Sequence, residues 1–200
     1  MSHMKRTVLL ATFISLSFIT VLAQQQPADP QQLAGRIESG TWVTVAPVNA
    51  GFSILMPAKP SEDVQSLEGH PGMENHLITF ETKLAGYVVS YLQFSDEVTD
   101  PALIKVMLDR GREGGIASTG GKLKSEKEIK LNNYFGREWL MELPGGLSAT
   151  ARAYWVKRRL YQTVFVITPN ANDSPEVIKL RDEARTRFLD SFSLSGDVNN

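Results

Sequence analysis

Two histidines and two carboxylates fall within nine residues, in the stretch Glu68-Gly69-His70-Pro71-Gly72-Met73-Glu74-Asn75-His76. Neutral imidazole and carboxylate both donate to a divalent ion such as zinc. In an extended segment Glu74 and His76 point the same way, and the Pro71-Gly72 turn folds His70 back towards them. Glu68, His70, Glu74 and His76 are therefore a candidate metal set. Their spacing matches no established metal signature, and the competing reading is a polar hairpin tip. Beyond His3 at the N-terminus, His70 and His76 are the only histidines in the chain. Any histidine-based acid/base or nucleophilic mechanism must pass through this loop.

Other chemistries find less. The chain has no cysteine, which removes thiol nucleophiles, thiolate metal sites and thiol redox chemistry. No Gly-x-Ser-x-Gly elbow is present. Ser118 lies in a glycine-rich stretch without a strand before it. Gly115–Lys122 looks briefly like a phosphate loop, but Gly121 intrudes before Lys122 and Leu123 stands where a hydroxyl residue is required. Glu126 and Glu128 alternate with Lys127 and Lys130, the ordinary pattern of a solvated sheet face. Lys157-Arg158-Arg159 makes a basic hairpin tip between Trp155 and Tyr161. It is a candidate peripheral contact for anionic lipid headgroups or an acidic partner, although three charges fall below the usual lipid-binding cluster. No catalytic residue and no resident cofactor are assigned.

The ends of the chain speak to its address. Lys5 and Arg6 precede an uncharged apolar run, Val8 to Ala23, that closes on Val21-Leu22-Ala23 before Gln24-Gln25-Gln26. This is the pattern of a cleavable signal peptide over residues 1–23. A retained anchor is the alternative, but a run of roughly 16 residues is short of the roughly 20 that span a bilayer. The expected location is periplasmic or extracellular. Without Lys5 and Arg6 the chain keeps 19 basic against 22 acidic residues, so there is no basic excess to neutralise a phosphate backbone. Nucleic acid is excluded as a partner on that ground.

The elements that would position any site begin after a polar, proline-bearing lead-in over 24–40. A single domain is expected over 41–195, with a disordered tail at 196–200. Strands are expected at 42–45 and 52–56, then a polar loop over 61–75 and a hairpin of 76–82 with 87–94. The latter strand is apolar on both alternating sets, so it should be covered on two sides. Asp100-Pro101 opens a helix with Gly111 as its stop, and the glycines from 114 to 121 form a loose linker or lid. Four strands follow at 123–131, 134–143, 148–156 and 160–168. Ser174-Pro175 then opens a last helix, whose inward face is Val177, Leu180, Ala184 and Phe188, with the stem of Arg181 at its edge. Strands, helix, a meander and a helix argue α+β with a mainly antiparallel sheet of about six to seven strands.

Phe52-Ser53-Ile54-Leu55-Met56-Pro57-Ala58-Lys59-Pro60 resembles the opening strand of the Mog1/PsbP-like superfamily, with Pro60 standing where the group often carries a tryptophan. The closing Arg187-Phe188-Leu189-Asp190-Ser191-Phe192 is similar to the ending of exported bacterial members of unassigned role. The resemblance covers about 45–194 and implies an αβα sandwich, an antiparallel sheet flanked by helices on both faces. It implies no catalytic site, and function does not follow from fold. Together these readings lead to the expectation of an exported, non-enzymatic binding or assembly-accessory module for an envelope protein or component. A metal-binding protein or metal-dependent enzyme using the 68–76 cluster is one alternative, and a small-ligand carrier is another.

Overall fold

The computed structural model describes residues 42–67, 72–82, 84–169 and 173–195. The lead segment, the lead-in and the tail lie outside the described residues, as do Glu68 and His70. Ten strands and two helices follow in the order β1 (Val43–Val45), β2 (Phe52–Met56), β3 (Ser61–Ser66), β4 (Glu74–Glu81), β5 (Ala85–Gln93), α1 (Pro101–Thr119), β6 (Lys122–Leu131), β7 (Tyr134–Glu142), β8 (Ser148–Val156), β9 (Arg159–Ile167), α2 (Pro175–Asp190) and β10 (Ser193–Leu194). Seven strands form one sheet in the order β3-β4-β5-β9-β8-β7-β6, and β1-β2-β10 form a small second sheet. Every pairing is antiparallel.

The large sheet has a core on each face. On one face Ile104, Met107 and Leu108 of α1 pack with Trp139 and Met141 of β7 and with Ala149, Ala151, Ala153 and Trp155 of β8. On the other, the small sheet and α2 bring Phe52, Ile54, Ala184, Phe188 and Phe192 against Tyr87, Val89, Tyr91, Tyr161 and Phe165. Full burial of side chains of this size is worth about 1.5–3 kcal/mol each. The α+β class and the antiparallel meander are those the pattern of residues implied, and the helices on both faces those the resemblance implied. So is the two-sided cover of β5, buried at every position from Ala85 to Leu92.

Two expectations about the elements are corrected. The polar loop over 61–75 contains β3 and the start of β4, paired from Ser61 opposite Thr79 to Ser66 opposite Glu74. As an edge strand β3 is held by its ladder with β4 and not by burial, so its side chains show no apolar alternation. The helix α1 does not stop at Gly111, and the glycines after it form no linker. It runs to Thr119 and is closed by Gly120 in the left-handed region, at φ 63°. Asp100 caps its start by accepting from the Ala102 N–H. Each interior glycine costs about 0.8–1.0 kcal/mol against alanine. Packing on β7 and β8 holds the helix nonetheless, as do ion pairs from Arg112 to Asp109, Glu113 and Glu126.

Cross-strand register sorts the face beneath α2 into rows. One row runs Val64, His76, Tyr91, Tyr161, Tyr154, Gly136 and Ile129 from β3 to β6. Phe52 meets Tyr91 and Tyr161 edge-on, and Phe192 lies parallel to Tyr154 at 5.7 Å. The Tyr154 ring extends over β7 where Gly136 leaves room; a Cβ there would stand 2.7 Å from the Ala153 carbonyl oxygen and 2.5 Å from the ring.

Gly136→Ala should therefore lose about 1–3 kcal/mol in urea unfolding, because backbone as well as ring must move. Gly111→Ala and Gly115→Ala behave oppositely. A Cβ meets nothing within 4 Å at either position, so each should gain about 0.5–1 kcal/mol by the same measurement.

Candidate functional site

The row beside the aromatic one carries charge. It runs Glu62, Ile78, Val89, Thr163, Arg152, Glu138 and Lys127 across the sheet, and the next runs Phe80, Tyr87, Phe165, Thr150, Leu140 and Ser125. On β4, β5 and β9 these rows are apolar or buried. On β6, β7 and β8 they turn polar, and the small sheet does not reach them. A groove of about 460 Å³ opens there between the strands and the last turns of α2. Its floor is Lys127, Glu138, Arg152, Ser125, Leu140 and Thr150, and its wall is Arg185, Thr186, Leu189 and Asp190.

The charges on this floor form one connected chain. Lys127 Nζ lies 2.8 Å from Glu138 Oε1, and Arg152 Nε donates to Glu138 Oε2 at 2.6 Å. Arg152 Nη1 donates onward to Asp190 Oδ1 at 2.7 Å, tying β8 to the end of α2. Burial alone would push the Glu138 carboxyl up, but hydrogen bonds from Lys127 and Arg152 outweigh it and hold the group below its usual range. Burial likewise disfavours the Arg152 cation, and its bonds to Glu138 and Asp190 reverse the effect. Glu138 is thus kept ionised and engaged, with no proton to offer a substrate at neutral pH. The hydroxyls of Ser125, Thr150 and Thr186 face the same space. Among the described residues no histidine lines this space, and its carboxylates Glu138 and Asp190 are both paired with Arg152.

Of the metal candidates singled out by sequence, Glu68 and His70 lie outside the described residues. His76 and Glu74 lie on β4, with Nε2 3.8 Å from the carboxylate. The imidazole is stacked on the Tyr91 ring at 4.4 Å and 6°, so it closes the end of the aromatic row. Among the described residues, no three His, Asp or Glu side chains are gathered to hold a metal ion. Glu126 and Glu128 are exposed, as expected of a solvated face, and reach the margin of α1, where Glu126 pairs with Arg112, and Glu128 with Lys105 and with Arg137 of β7. Ser118 is in α1 with its hydroxyl donating to the Gly115 carbonyl.

The basic tip is also partly occupied. Lys157 and Arg158 give their carbonyls to the Val98 and Phe94 N–H groups, and Lys157 also accepts from the Trp155 indole. Arg159 turns inward to the Ala50 carbonyl and the Gln93 side chain. Of the three, Arg158 is exposed, and Lys157 and Arg159 are half-buried.

The chain Lys127–Glu138–Arg152–Asp190 escaped sequence reasoning because it is assembled by register across three strands and a helix. One signal was available. Arg152 sits between Ala151 and Ala153 in a strand otherwise small or aromatic, and such a cation requires a partner.

No family model matches the chain, and no curated protein matches it. Solved structures do. A protein of unknown function, PA94 from Pseudomonas aeruginosa, is 14% identical, covers 72% of this chain and 91% of its own, and superposes with a TM-score of 0.40. The cyanobacterial PsbP, CyanoP, of Synechocystis sp. PCC 6803 is 15% identical over 76% of this chain and 92% of its own, with a TM-score of 0.48. No ligand or partner is carried over from either. Among the described residues no helix is long and apolar enough to cross a membrane.

The charged chain has a pH signature. A carboxyl depressed in the folded state stabilises at pH above its unfolded value and loses that contribution as pH falls through the folded one. Glu138→Gln should lower stability by about 1–2 kcal/mol at pH 7. Urea titrations from pH 7 downward should show the wild-type protein losing this excess over the variant only below about pH 4.5, the ordinary carboxyl value. A constant gap down to pH 3 would show that the carboxylate charge is not what stabilises.

Proposed function

We propose that this chain is an exported, non-enzymatic binding or assembly-accessory module of the cell envelope, and that the groove between β6–β8 and α2 is its binding surface. One observation carries the reading. The groove brings donors, acceptors and an apolar strip together in a concave space, yet its half-buried acid is locked between two cations and, among the described residues, no histidine accompanies its hydroxyls. Such a surface recognises without transforming. The Lys5-Arg6 start and the apolar run to Ala23 support export.

The sheet edges are poorer candidates. β6 is the edge strand next to the groove and carries Lys122, Lys124, Glu126, Lys127, Glu128 and Lys130. Its register with β7 is also broken by a bulge between Leu123 and Ser125. Charges, lysine above all, and bulges on an edge discourage an incoming strand.

Affinity capture from envelope extract tests the reading. Thr150→Trp fills the floor of the groove without touching its ion pairs. A partner recovered by the wild-type chain should be lost with Thr150→Trp and kept with Val64→Asp on the opposite edge. Capture unaffected by the filled groove, or nothing specific captured at all, would sink the assignment.

A further inference from the structure

The charge balance of the groove bears on what enters it. Its chain of two cations and two anions, Lys127–Glu138–Arg152–Asp190, is internally neutral. The remaining cation, Arg185, already pairs with Asp182 at 3.1 Å. A charged ligand would compete for groups already paired in this chain. Breaking a partly buried ion pair leaves the other member uncompensated, which costs more than a surface contact returns. A neutral ligand meets no such obstacle.

The pairs leave hydrogen-bonding capacity unused. Asp190 retains its second oxygen and Lys127 further N–H donors, since each bond engages only part of the group. The hydroxyls of Ser125, Thr150 and Thr186 add donor and acceptor in one atom and have no side-chain bond among the described residues. Leu140, half-buried, and Leu189 supply an apolar strip between them. A ligand complementary to all of this is uncharged, dense in hydroxyls that both give and accept, and carries C–H faces between them. The volume, about 460 Å³, falls within the range of small-molecule sites, roughly 300–1,000 Å³.

We infer that the groove between β6–β8 and α2 binds a short saccharide, with its hydroxyls on Lys127, Asp190, Thr150 and Thr186 and one ring face on Leu140. The inference rests on the groove being the binding surface and names the chemistry of what it holds.

The test is an amide NMR titration of the full chain with cellobiose and with N,N′-diacetylchitobiose, and with sodium glutamate as the charged comparator. Saturating shifts are expected for at least one disaccharide at Ser125, Leu140, Thr150 and Thr186, with affinity in the range of about 1–10 mM and glutamate causing none. Thr150→Trp should weaken binding at least about tenfold. Because a sheet position can disturb folding, Thr186→Trp on the exposed side of α2 provides a second block, with retained amide dispersion as its check. No saturating shift with either sugar, shifts that map away from these residues, or tighter binding of glutamate would each overturn the inference. If Thr150→Trp abolishes envelope capture while neither sugar binds, the groove remains the binding surface and only its saccharide chemistry falls.

Discussion

Phe52 of β2 and Phe192, the residue just before β10, stack with each other at 5.3 Å and together meet the tyrosines of β5, β9 and β8. This contact decides where the second layer lies. The Tyr161 hydroxyl and the Arg159 guanidinium both donate to the Ala50 carbonyl just before β2, so the turn entering that strand is fixed to the same place. At the far end Arg187 of α2 sits over the Trp42 ring at 5.0 Å. The small sheet and α2 are thereby held over β4, β5 and β9. Because that layer is narrower than the seven strands beneath it, β6, β7 and β8 are left with a polar face and an open groove.

The two faces of the uncovered strands solve their charge differently. Beneath α1, Arg137 reaches Asp109 at 2.9 Å and Glu128 at 3.3 Å, joining helix, β7 and β6 in one network. That network is filled by the helix and leaves no concave space. Beneath α2 the chain from Lys127 to Asp190 spans the gap only along its floor. Ion pairs on one side act as fasteners, and on the other they line a vessel. The difference arises from where each helix crosses the sheet, α1 over β7 and β8 but α2 over β9.

Much of the architecture was legible in local chemistry. Asp100-Pro101 and Ser174-Pro175 each mark a helix start, and Ser174 accepts from the Val177 N–H as an N-cap should. The doubly apolar β5 announced its central position. The buried edge residue Arg181, foreseen as a stem along the inner face of α2, is anchored by Asp173 and the Thr168 carbonyl. What failed did so where non-local forces outweigh local ones. β3 is polar on both faces and exists because β4 offers it a ladder, and α1 continues past Gly111 because a sheet lies beneath it. The groove was least legible of all. Lys127, Glu138, Arg152 and Asp190 are 11, 14 and 38 positions apart in turn, and no window along the chain contains them.

The edge strand β6 has a bearing on how copies of the molecule meet. Ten residues long, it would offer a neighbouring copy a ready ladder. In an antiparallel pairing centred on Lys127, however, that lysine would face its own twin, and Glu126 would face Glu128 of the other copy. Like charges directly opposite repel. The same residues that bind the helix above and the groove below thus keep one sheet from growing into the next, so crowding many copies together need not turn a solution into a fibre.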